Sequence, residues 1–378
     1  MSESITDMQH GTLDGLATVA VGQSLRVTVA ARDAGSGTLT LLCRRDPDEP
    51  DAPAALPAQT SASAPHQPLD VASHHGLARL LDAVAPLPPM RVGVVHPCDA
   101  SSLSAALEAQ RLGLIEPVLI APRARLEAVA VEQGLVLDGL RIEDVAHSHA
   151  AAEQGARLAA CGEVEALMKG SLHTDELMAA VVSHSAGLRT KRRVSHCFVL
   201  QTPAYPRPFI VTDAAINLAP DLLQKADIVR NAIELAQVIG VARPKVAILA
   251  AVETVNPAMP ATLDAAALCK MADRGQIAGG VLDGPLAFDN AVSVEAARTK
   301  GIASPVAGQA DILLVPDLES GNMLAKQLMY LGGASSAGIV LGAKVPVVLT
   351  SRADSRESRI ASCAIALLLA HRYRQTPP

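Results

Sequence analysis

Ser351 and Arg352 lie where an apolar run, VVLT, gives way to a predicted helix. The run has the pattern of a buried strand, and a helix is expected to begin within a few residues of it. A guanidinium at such a junction can reach into a cleft and bind phosphate through two parallel hydrogen bonds. The pair therefore predicts a phosphate-binding position at the end of this strand.

The carboxylates that follow have a structural alternative. Asp354 and Glu357 have the spacing of a capping box, with Asp354 at the N-cap and Glu357 at N3. Such a cap stabilises a helix by about 1 kcal/mol. Capping accounts for both carboxylates but not for the preceding serine and arginine. Arg356 and Arg359 are expected on the solvated helix face, or paired with nearby acids.

A second group of polar residues follows the apolar segment ALM. It lies within LMKGSLHTDELM and comprises Lys169, Gly170, Ser171, His173 and Thr174. Small residues and exposed amide groups at a helix amino terminus favour a bound anion. Helix capping by a hydroxyl residue is the structural alternative for the same segment.

Three further segments place polar residues after predicted strands: Asp213 and Asn217; Asp283 with Asp289; and Asp317, Gly321, Asn322 and Lys326. Aspartate and asparagine are favoured in turns, which is an alternative for the first segment and for the Asp283-Gly284-Pro285 sequence. The last segment, VPDLESGNMLAKQL, is too long to be explained as a turn alone.

Short β-branched runs alternate with helical patterns from about residue 69 onward. MRVGVVHP and EPVLIAP are predicted strands, and the helical patterns after them end at Gly113 and Gly134. This alternation predicts an α/β fold with a mostly parallel sheet flanked by helices. In such folds, reactive groups collect at the carboxyl ends of the strands.

The first 68 residues have a different pattern. SLRVTVAARD and GTLTLLCRR alternate in hydrophobicity and predict a hairpin, and a Pro- and Ala-rich stretch after Arg45 predicts an extended linker. Two strands cannot form a stable domain alone. The main fold is therefore expected to begin near Leu69.

Composition narrows the class of protein. The net charge of −6 and the aromatic content of 2 % argue against nucleic acid as a partner. No apolar run approaches the roughly 20 residues of a membrane span. The 6 cysteines form no C-x-x-C pair and, without a secretory signal pattern, indicate a cytoplasmic protein.

The usual cofactor motifs are missing from the sequence. It contains neither G-x-G-x-x-G after a strand nor a Walker loop, and G-x-S-x-G is also absent. His147 and His149 could be offered as metal ligands, but their Ala-rich helical setting favours a surface position. His184 and His196 have no partner assignable from sequence. We therefore expect no metal and no bound cofactor.

The ordered set of motifs resembles the phosphate acetyltransferase and phosphate butyryltransferase family. It includes ALMKGSLHTDEL, GLRTKRRVSHCFVL, VTDAAINLAPDLLQKADIVRNAIELAQVIG, GGVLDGPLAFDNAVS and VPDLESGNMLAKQLMYLGG with the following residues through SRADS. The resemblance covers about residues 69–374 and is strongest from Ala166. It implies reversible acyl transfer between acyl-CoA and inorganic phosphate, with coenzyme A as a substrate.

The resemblance also implies the two-domain fold of isocitrate and isopropylmalate dehydrogenases, usually as a homodimer, with the active site in the interdomain cleft. Residues 69–193 with 338–378 would form one domain and residues 194–337 the other. Residues 1–68 resemble the tail of a MaoC-type hydratase domain, and without its Asp/His motif they are expected to be an inactive remnant.

Roles for single residues follow from the same resemblance. Arg352 would bind phosphate, and Ser351 would hydrogen-bond the coenzyme A sulfur or the oxyanion in a direct ternary-complex transfer. The substrate-binding set would comprise Lys169, Gly170, Ser171, His173, Thr174, Asp283, Asn322 and Lys326, with Asp283 ordering its loop.

One position departs from the family pattern. Acetyl-specific members have an aspartate, proposed as the base for the thiol, where this chain has Ser358. Asp354 or Glu357 could replace it. Two other readings stay open: a non-catalytic acyl-CoA-binding protein, and a metal-dependent dehydrogenase on the same fold. The sequence is compatible with acetyl, propionyl and butyryl chains.

Overall fold

The computed structural model describes residues 25–32, 39–45, 75–351 and 354–378, with residues up to 78 as backbone alone. The chain forms two compact units, residues 1–67 and residues 68–378. Among the described residues, none of the helices has the length and apolar content needed to cross a membrane.

The first unit contains the predicted hairpin. Strands β1 (Leu25–Arg32) and β2 (Leu39–Arg45) pair antiparallel, with an irregularity between Val29 and Ala31. The prediction of two strands here is confirmed. The predicted linker that follows, residues 46–68, lies outside the described residues.

The second unit contains one sheet of 11 strands. Along the sheet the order is β10-β9-β11-β8-β7-β12-β13-β6-β3-β4-β5. The strands are β3 (Met90–Val95), β4 (Ile115–Ala121), β5 (Arg141–Asp144), β6 (Ala166–Lys169), β7 (Ser195–Gln201), β8 (Phe209–Thr212), β9 (Lys245–Leu249), β10 (Val281–Leu286), β11 (Ile312–Leu314), β12 (Ser335–Leu341) and β13 (Val347–Val348).

Helices connect most of these strands. They are α1 (His75–Val84), α2 (Ala100–Arg111), α3 (Arg123–Gln133), α4 (Ser148–Ala160), α5 (Thr174–Val181), α6 (Leu222–Val238), α7 (Pro260–Asp273), α8 (Phe288–Val292), α9 (Val294–Thr299), α10 (Leu318–Tyr330) and α11 (Arg356–Gln375). The predicted mixed α/β class, with a mostly parallel sheet flanked by helices, is confirmed.

Alternate residues of the strands pack against different helices. Val94 packs into the same cluster as residues of α2, α6 and α11, whereas Val95 packs with α4 and α5. In the other half of the sheet, Val246 and Ile248 belong to the first cluster, but Ala247 packs with α8–α10. Successive side chains of a strand point to opposite faces, so strands covered on both faces become apolar throughout.

The sheet changes direction at its centre. Strands β13, β6, β3, β4 and β5 are parallel, and so are β8, β11, β9 and β10. Between them, β12 is antiparallel to β13 and to β7, and β7 is antiparallel to β8. Strand β8 therefore runs opposite to β6. The carboxyl ends of the two parallel groups lie at opposite edges of the sheet.

One candidate segment lies inside a strand rather than beyond its end. Asp283 belongs to β10, where it accepts a hydrogen bond from its own neighbour, Gly284 N, at 2.9 Å. The turn considered for Asp283-Gly284-Pro285 is therefore wrong, because this segment pairs with β9 at the edge of the sheet. Strand β7, SHCFVLQ, was not predicted by its pattern.

Candidate functional site

The turn after β6 is tied to the end of β3. Val95 pairs with Lys169, so the next residues of both strands leave the sheet at the same edge. Gly170 N donates to Val95 O at 2.9 Å, and Ser171 N donates to His96 O at 2.8 Å. A Cβ on Gly170 would lie 2.5 Å from both of these carbonyl oxygens, so only glycine fits this position.

Lys169 is buried at the beginning of this turn. Only 7 % of the residue is exposed, and Nζ donates to Gly170 O at 3.4 Å. His173 and Thr174 lead into α5, but the side chain of His173 at the N-cap makes no capping hydrogen bond. The capping alternative therefore does not account for His173, which is exposed beside the turn.

A second turn at the same edge follows β13. Ser351 N donates to the Asp354 carboxylate at 2.7 Å, and Asp354 N donates to Ser351 O at 3.2 Å. β13 is parallel to β6, so this turn leaves the sheet beside the Lys169 turn. Arg352, the predicted phosphate ligand, lies outside the described residues.

The predicted capping box of α11 is wrong by one residue. Ser355 is the N-cap, and its side chain accepts a hydrogen bond from Ser358 N at 3.1 Å. The serine hydroxyl caps the Ser358 amide, one residue beyond the Glu357 amide that Asp354 was expected to cap. The Asp354 carboxylate is thereby left to hold Ser351.

Arg359 is buried, contrary to the expectation of a solvated helix face. It is 5 % exposed, and it donates to Ser351 O at 3.0 Å and to Asp354 O at 3.4 Å. Arg356 is exposed and pairs with Glu108 on α2, as expected if it were paired with a nearby acid. One arginine of this helix therefore clamps the second turn, and the other connects its helix to α2.

Asp354 brings separate segments of the chain together. Burial raises the pKa of the Asp354 carboxyl, while the hydrogen bond from Ser351 and the charges of Arg359, Lys169 and Lys326 lower it. The carboxylate is therefore within electrostatic reach of two lysines that are far apart in sequence. A partly buried acid among cations can hold or release a proton in response to small changes around it.

Lys326 arrives from a helix rather than from a strand end. It lies on α10, which begins at the carboxyl end of β11 and leads to β12. The start of β12 lies beside the end of β13, because Ile339 pairs with Val348 in an antiparallel ladder. The exposed Lys326 side chain is thus carried back toward the Ser351 turn.

The other candidates are held elsewhere. Asn322 Nδ2 donates to Ala214 O at 3.0 Å, and Asp317 caps α10 by accepting from Ser320 N at 2.8 Å. Asp213 accepts hydrogen bonds from the amides of its own turn and from Asn217 Nδ2. The hydrogen bonds of Asp213 and Asn217 fit the turn that the sequence also allowed for their segment.

Ser358, the position at which the sequence departs from the expected family pattern, lies in a buried hydroxyl cluster. Its Oγ is 3.2 Å from Ser336 Oγ on β12 and accepts from Ser355 Oγ at 3.2 Å. Ser362 Oγ donates to Ser358 O at 2.7 Å. This side chain therefore helps to join α11 to β12 beneath the second turn.

Two histidines that sequence did not connect to the site support it. His96 Nδ1 lies 3.1 Å from Ser171 Oγ. His196, completely buried on β7, hydrogen-bonds the backbone of Leu349 just before the Ser351 turn. The position of His96 directly after the predicted strand MRVGVV was a weak signal for the first. The second could not be found locally, because β7 itself was not predicted.

Two cavities lie in different parts of the molecule. A cavity of about 500 Å³ adjoins the first turn and is lined by Cys98, Asp99, Ala100, Ser101, Arg125 and Ser171. A groove of about 670 Å³ lies between α4 and α5, where His149 pairs with Glu176 at 2.8 Å. We place the chemistry at the first, because it alone includes a residue of the predicted site.

The metal alternative finds no support in the side-chain positions. His147 caps α4 by accepting from Ala150 N at 3.2 Å, and His149 is exposed. Over the described part of the chain, no cluster of His, Cys, Asp and Glu is placed to bind a metal ion.

Comparison with known proteins identifies close relatives. Residues 147–367 match the family described as "Phosphate acetyl/butaryl transferase". The chain is 58 % identical over 296 residues to the phosphate acetyltransferase of Rhizobium meliloti, covering 78 % of this chain and 94 % of that protein. It is 41 % identical to the phosphate butyryltransferase of Clostridium acetobutylicum, covering 74 % of this chain and 93 % of that protein.

Solved structures have the same fold. The crystal structure of a branched-chain phosphotransacylase from Enterococcus faecalis matches with a TM-score of 0.66 and 31 % identity, covering 75 % of this chain and 99 % of that chain. A phosphotransacetylase from Streptococcus pyogenes matches with a TM-score of 0.68 and 22 % identity, covering 80 % of this chain and 100 % of that chain, and this likeness supports the fold alone.

The buried His196 makes stability depend on pH. Burial lowers the pKa of His196 from 6.5 to about 4, so the unfolded chain binds a proton that the folded chain excludes. Stability from this group is complete above pH 6.5 and is lost as the pH falls toward 4. His196→Gln keeps a donor for Leu349 but does not titrate. Acidification from pH 7 to pH 4.5 should therefore lower the free energy of unfolding of this variant by about 2 to 3 kcal/mol less than it lowers that of the wild type.

Chemical denaturation at the two pH values measures this difference. His184→Gln, the same substitution at an exposed histidine, is the matched control. Equal pH dependence in the wild type and His196→Gln would contradict the assignment of a buried neutral imidazole.

Proposed function

The chain belongs to the phosphate acetyl/butyryl transferase family, and on this premise we propose that it exchanges an acyl group between coenzyme A and inorganic phosphate. The relatives named as phosphate acetyltransferase and phosphate butyryltransferase support this activity. The observation that carries it is the Asp354 carboxylate, which accepts a hydrogen bond from Ser351 N and is acted on by the charges of Lys169 and Lys326. Cations of this kind suit a phosphate, and the carboxylate suits proton transfer to or from a thiol.

The proposed substrate-binding set is Lys169, Gly170, Ser171, His173, Thr174, Asp283, Asn322 and Lys326, with Arg352 as the main phosphate ligand. Lys169 and Lys326 are its best-supported members, because both charges act at Asp354. Asp283 and Asn322 are its least supported, since their hydrogen bonds serve other segments. Holding the phosphate beside the thioester carbonyl makes the attack local.

Transfer is proposed to occur directly in the ternary complex. A phosphate oxygen attacks the thioester carbonyl carbon, and the carbon–sulfur bond breaks as the acyl phosphate forms. The Ser351 hydroxyl donates to the oxyanion or to the departing sulfur. Asp354 takes up the proton that the attacking hydrogen phosphate loses and passes it to the thiolate, and in the reverse direction its carboxylate removes the proton from the thiol and returns it to the phosphate.

We also propose the two-domain arrangement of the isocitrate dehydrogenase type, with residues 69–193 and 338–378 in one domain and 194–337 in the other. The reversal of strand direction at the centre of the sheet supports this division. The interdomain cleft would then contain the two turns, with Lys326 contributed from the second domain.

A homodimer is proposed from family resemblance. Large apolar side chains that could be buried in a dimer interface are exposed in the proposed second domain. They include Leu218, Leu223, Met323, Tyr330 and Leu331. Residues 1–68 are proposed to be an inactive remnant, and the protein to be cytoplasmic with no cofactor beyond its substrate coenzyme A. The described cysteines are unpaired, which fits a reducing compartment.

The activity is tested by incubating the protein with acetyl-, propionyl- or butyryl-CoA and following free thiol. We expect thiol release that requires inorganic phosphate, because phosphate is the acyl acceptor, and the three rates rank the acyl preference. The control omits phosphate. Acyl-CoA binding without release would instead indicate the non-catalytic alternative.

Asp354→Asn tests the proton-transfer role. The amide oxygen can still accept the hydrogen bond from Ser351 N, but the side chain can no longer carry a proton. We expect kcat for acyl phosphate and coenzyme A to fall about 100-fold or more. In the wild type, activity should fall on acidification as Asp354 is protonated. Burial raises its pKa, so this acidic limb should lie above the ordinary value of 3.8 and vanish in the variant.

Glu357→Gln is the matched control, since Glu357 is an exposed carboxylate on the first turn of the same helix. It should keep activity within about twofold of the wild type. If Glu357→Gln lost activity and Asp354→Asn retained it, Glu357 would be the base and the present assignment would be wrong.

A further inference from the structure

We propose that His96 is a positioning residue of the acyl-transfer site: as the Nδ1–H tautomer it anchors Ser171, and through Ser171 the turn that carries Lys169. This inference rests on the proposed function for its reaction. Its structural part rests on the contacts between the ends of β3 and β6.

The backbone of His96 has an unusual conformation. Its φ is +53°, and within the described part of the chain no other non-glycine residue has a positive φ. Residues other than glycine seldom adopt this conformation, although asparagine, aspartate and histidine do so more readily than others. Here it directs both the carbonyl and the ring of His96 toward Ser171.

The hydrogen bonds determine which ring nitrogen carries the proton. Ser171 Oγ donates to His96 O at 2.9 Å, and a carbonyl oxygen can only accept. Because the hydroxyl has one proton, it cannot also donate to the ring. The contact of 3.1 Å between His96 Nδ1 and Ser171 Oγ therefore requires Nδ1–H as its donor. Nε2 is then left as the acceptor.

The surroundings of the ring favour the neutral form. His96 is 4 % exposed, and its Nε2 is buried without a hydrogen-bond partner among the described residues. Burial lowers the pKa of His96, and the charge of Arg125 lowers it further, whereas Glu176, Asp99 and a hydrogen bond to the Ser171 backbone act in the opposite direction. A buried ring of this kind does not touch substrate and acts through its neighbour.

The anchored turn belongs to the site. Ser171 lines the 500 Å³ cavity, and Lys169, two residues earlier, acts electrostatically on Asp354. Gly170 between them tolerates no side chain. Loss of the ring donor therefore allows the turn to shift and moves Lys169 relative to the carboxylate.

The test compares His96→Ala with His96→Asn. Asparagine retains a short N–H donor and also accommodates positive φ, whereas alanine has no donor. We expect His96→Ala to lower kcat about tenfold or more with a smaller change in KM, and His96→Asn to stay within about threefold of the wild type. Rates are divided by the folded fraction, measured from thermal unfolding.

Ser171→Ala provides a second variant that removes the acceptor without straining the backbone. Because His96 and Ser171 act as one unit, the double variant with His96→Ala should be no more than about twofold slower than the slower single variant. Multiplied losses would show independent roles and overturn the proposal. So would a His96→Ala protein with wild-type kcat per folded molecule, or a His96→Asn protein as impaired as His96→Ala.

The tautomer is measured independently of activity. ¹⁵N spectra of histidine-labelled protein, with His96 assigned by its loss in His96→Asn, should show a protonated Nδ1 and an unprotonated Nε2. The opposite tautomer would overturn the anchoring geometry. A wild-type protein without phosphate-dependent thiol release would contradict the proposed function itself, whereas an active wild type with unaffected variants would contradict only the role of His96.

Discussion

The electrostatic interaction of Asp354 with the charges of Lys169 and Lys326 is the one on which the site depends. Lys169 is almost completely buried, and a buried ammonium is costly unless opposite charge or hydrogen bonds compensate it. Asp354 supplies negative charge at this position, while its own burial disfavours ionisation. The Asp354 carboxylate and the Lys169 ammonium therefore each stabilise the charged form of the other. A substrate phosphate would add a second anion that the lysine can bind.

The fold makes this interaction possible because the direction of the strands reverses at the centre of the sheet. β6 and β13 are parallel and place the turns of Lys169 and Ser351 at one edge. Beyond β12 and β7 the strands run the other way, so a residue of that half reaches the same edge only from a returning element. Helix α10 is such an element and carries Lys326. The buried Arg359 and His196 fix the Ser351 turn from beneath.

Sequence patterns predicted the parts of this site that depend only on neighbouring residues. The turns at Lys169 and Ser351 each follow an apolar strand and precede a helix, so both were found from sequence. The N-cap was misplaced by one residue because Ser355 competes with Asp354 for the same role. Arg359, a charged residue near the start of its helix, was expected on the solvated face or paired with an acid, yet it belongs to the buried part of α11.

Features that depend on distant pairing could not be predicted in this way. SHCFVLQ begins with polar residues and lacks the pattern of a buried strand, so β7 and the reversal of direction were missed. Without that reversal, Asn322 was expected to line the cleft with Lys169, whereas its side chain donates to Ala214 O in the turn after β8. The link between His96 and Ser171 likewise arises only when β3 and β6 pair.

The central claim is that the Lys169 turn and the Ser351 turn form one reaction site, and a double-mutant cycle of Lys169→Met and Asp354→Asn tests it most directly. The measured quantity is kcat/KM for phosphate-dependent thiol release in the wild type, both single variants and the double variant. We predict losses that do not multiply, with a coupling free energy of at least about 1 kcal/mol, because each substitution removes the partner of the other group. Losses that multiply would show that the two turns act independently and would contradict a shared site.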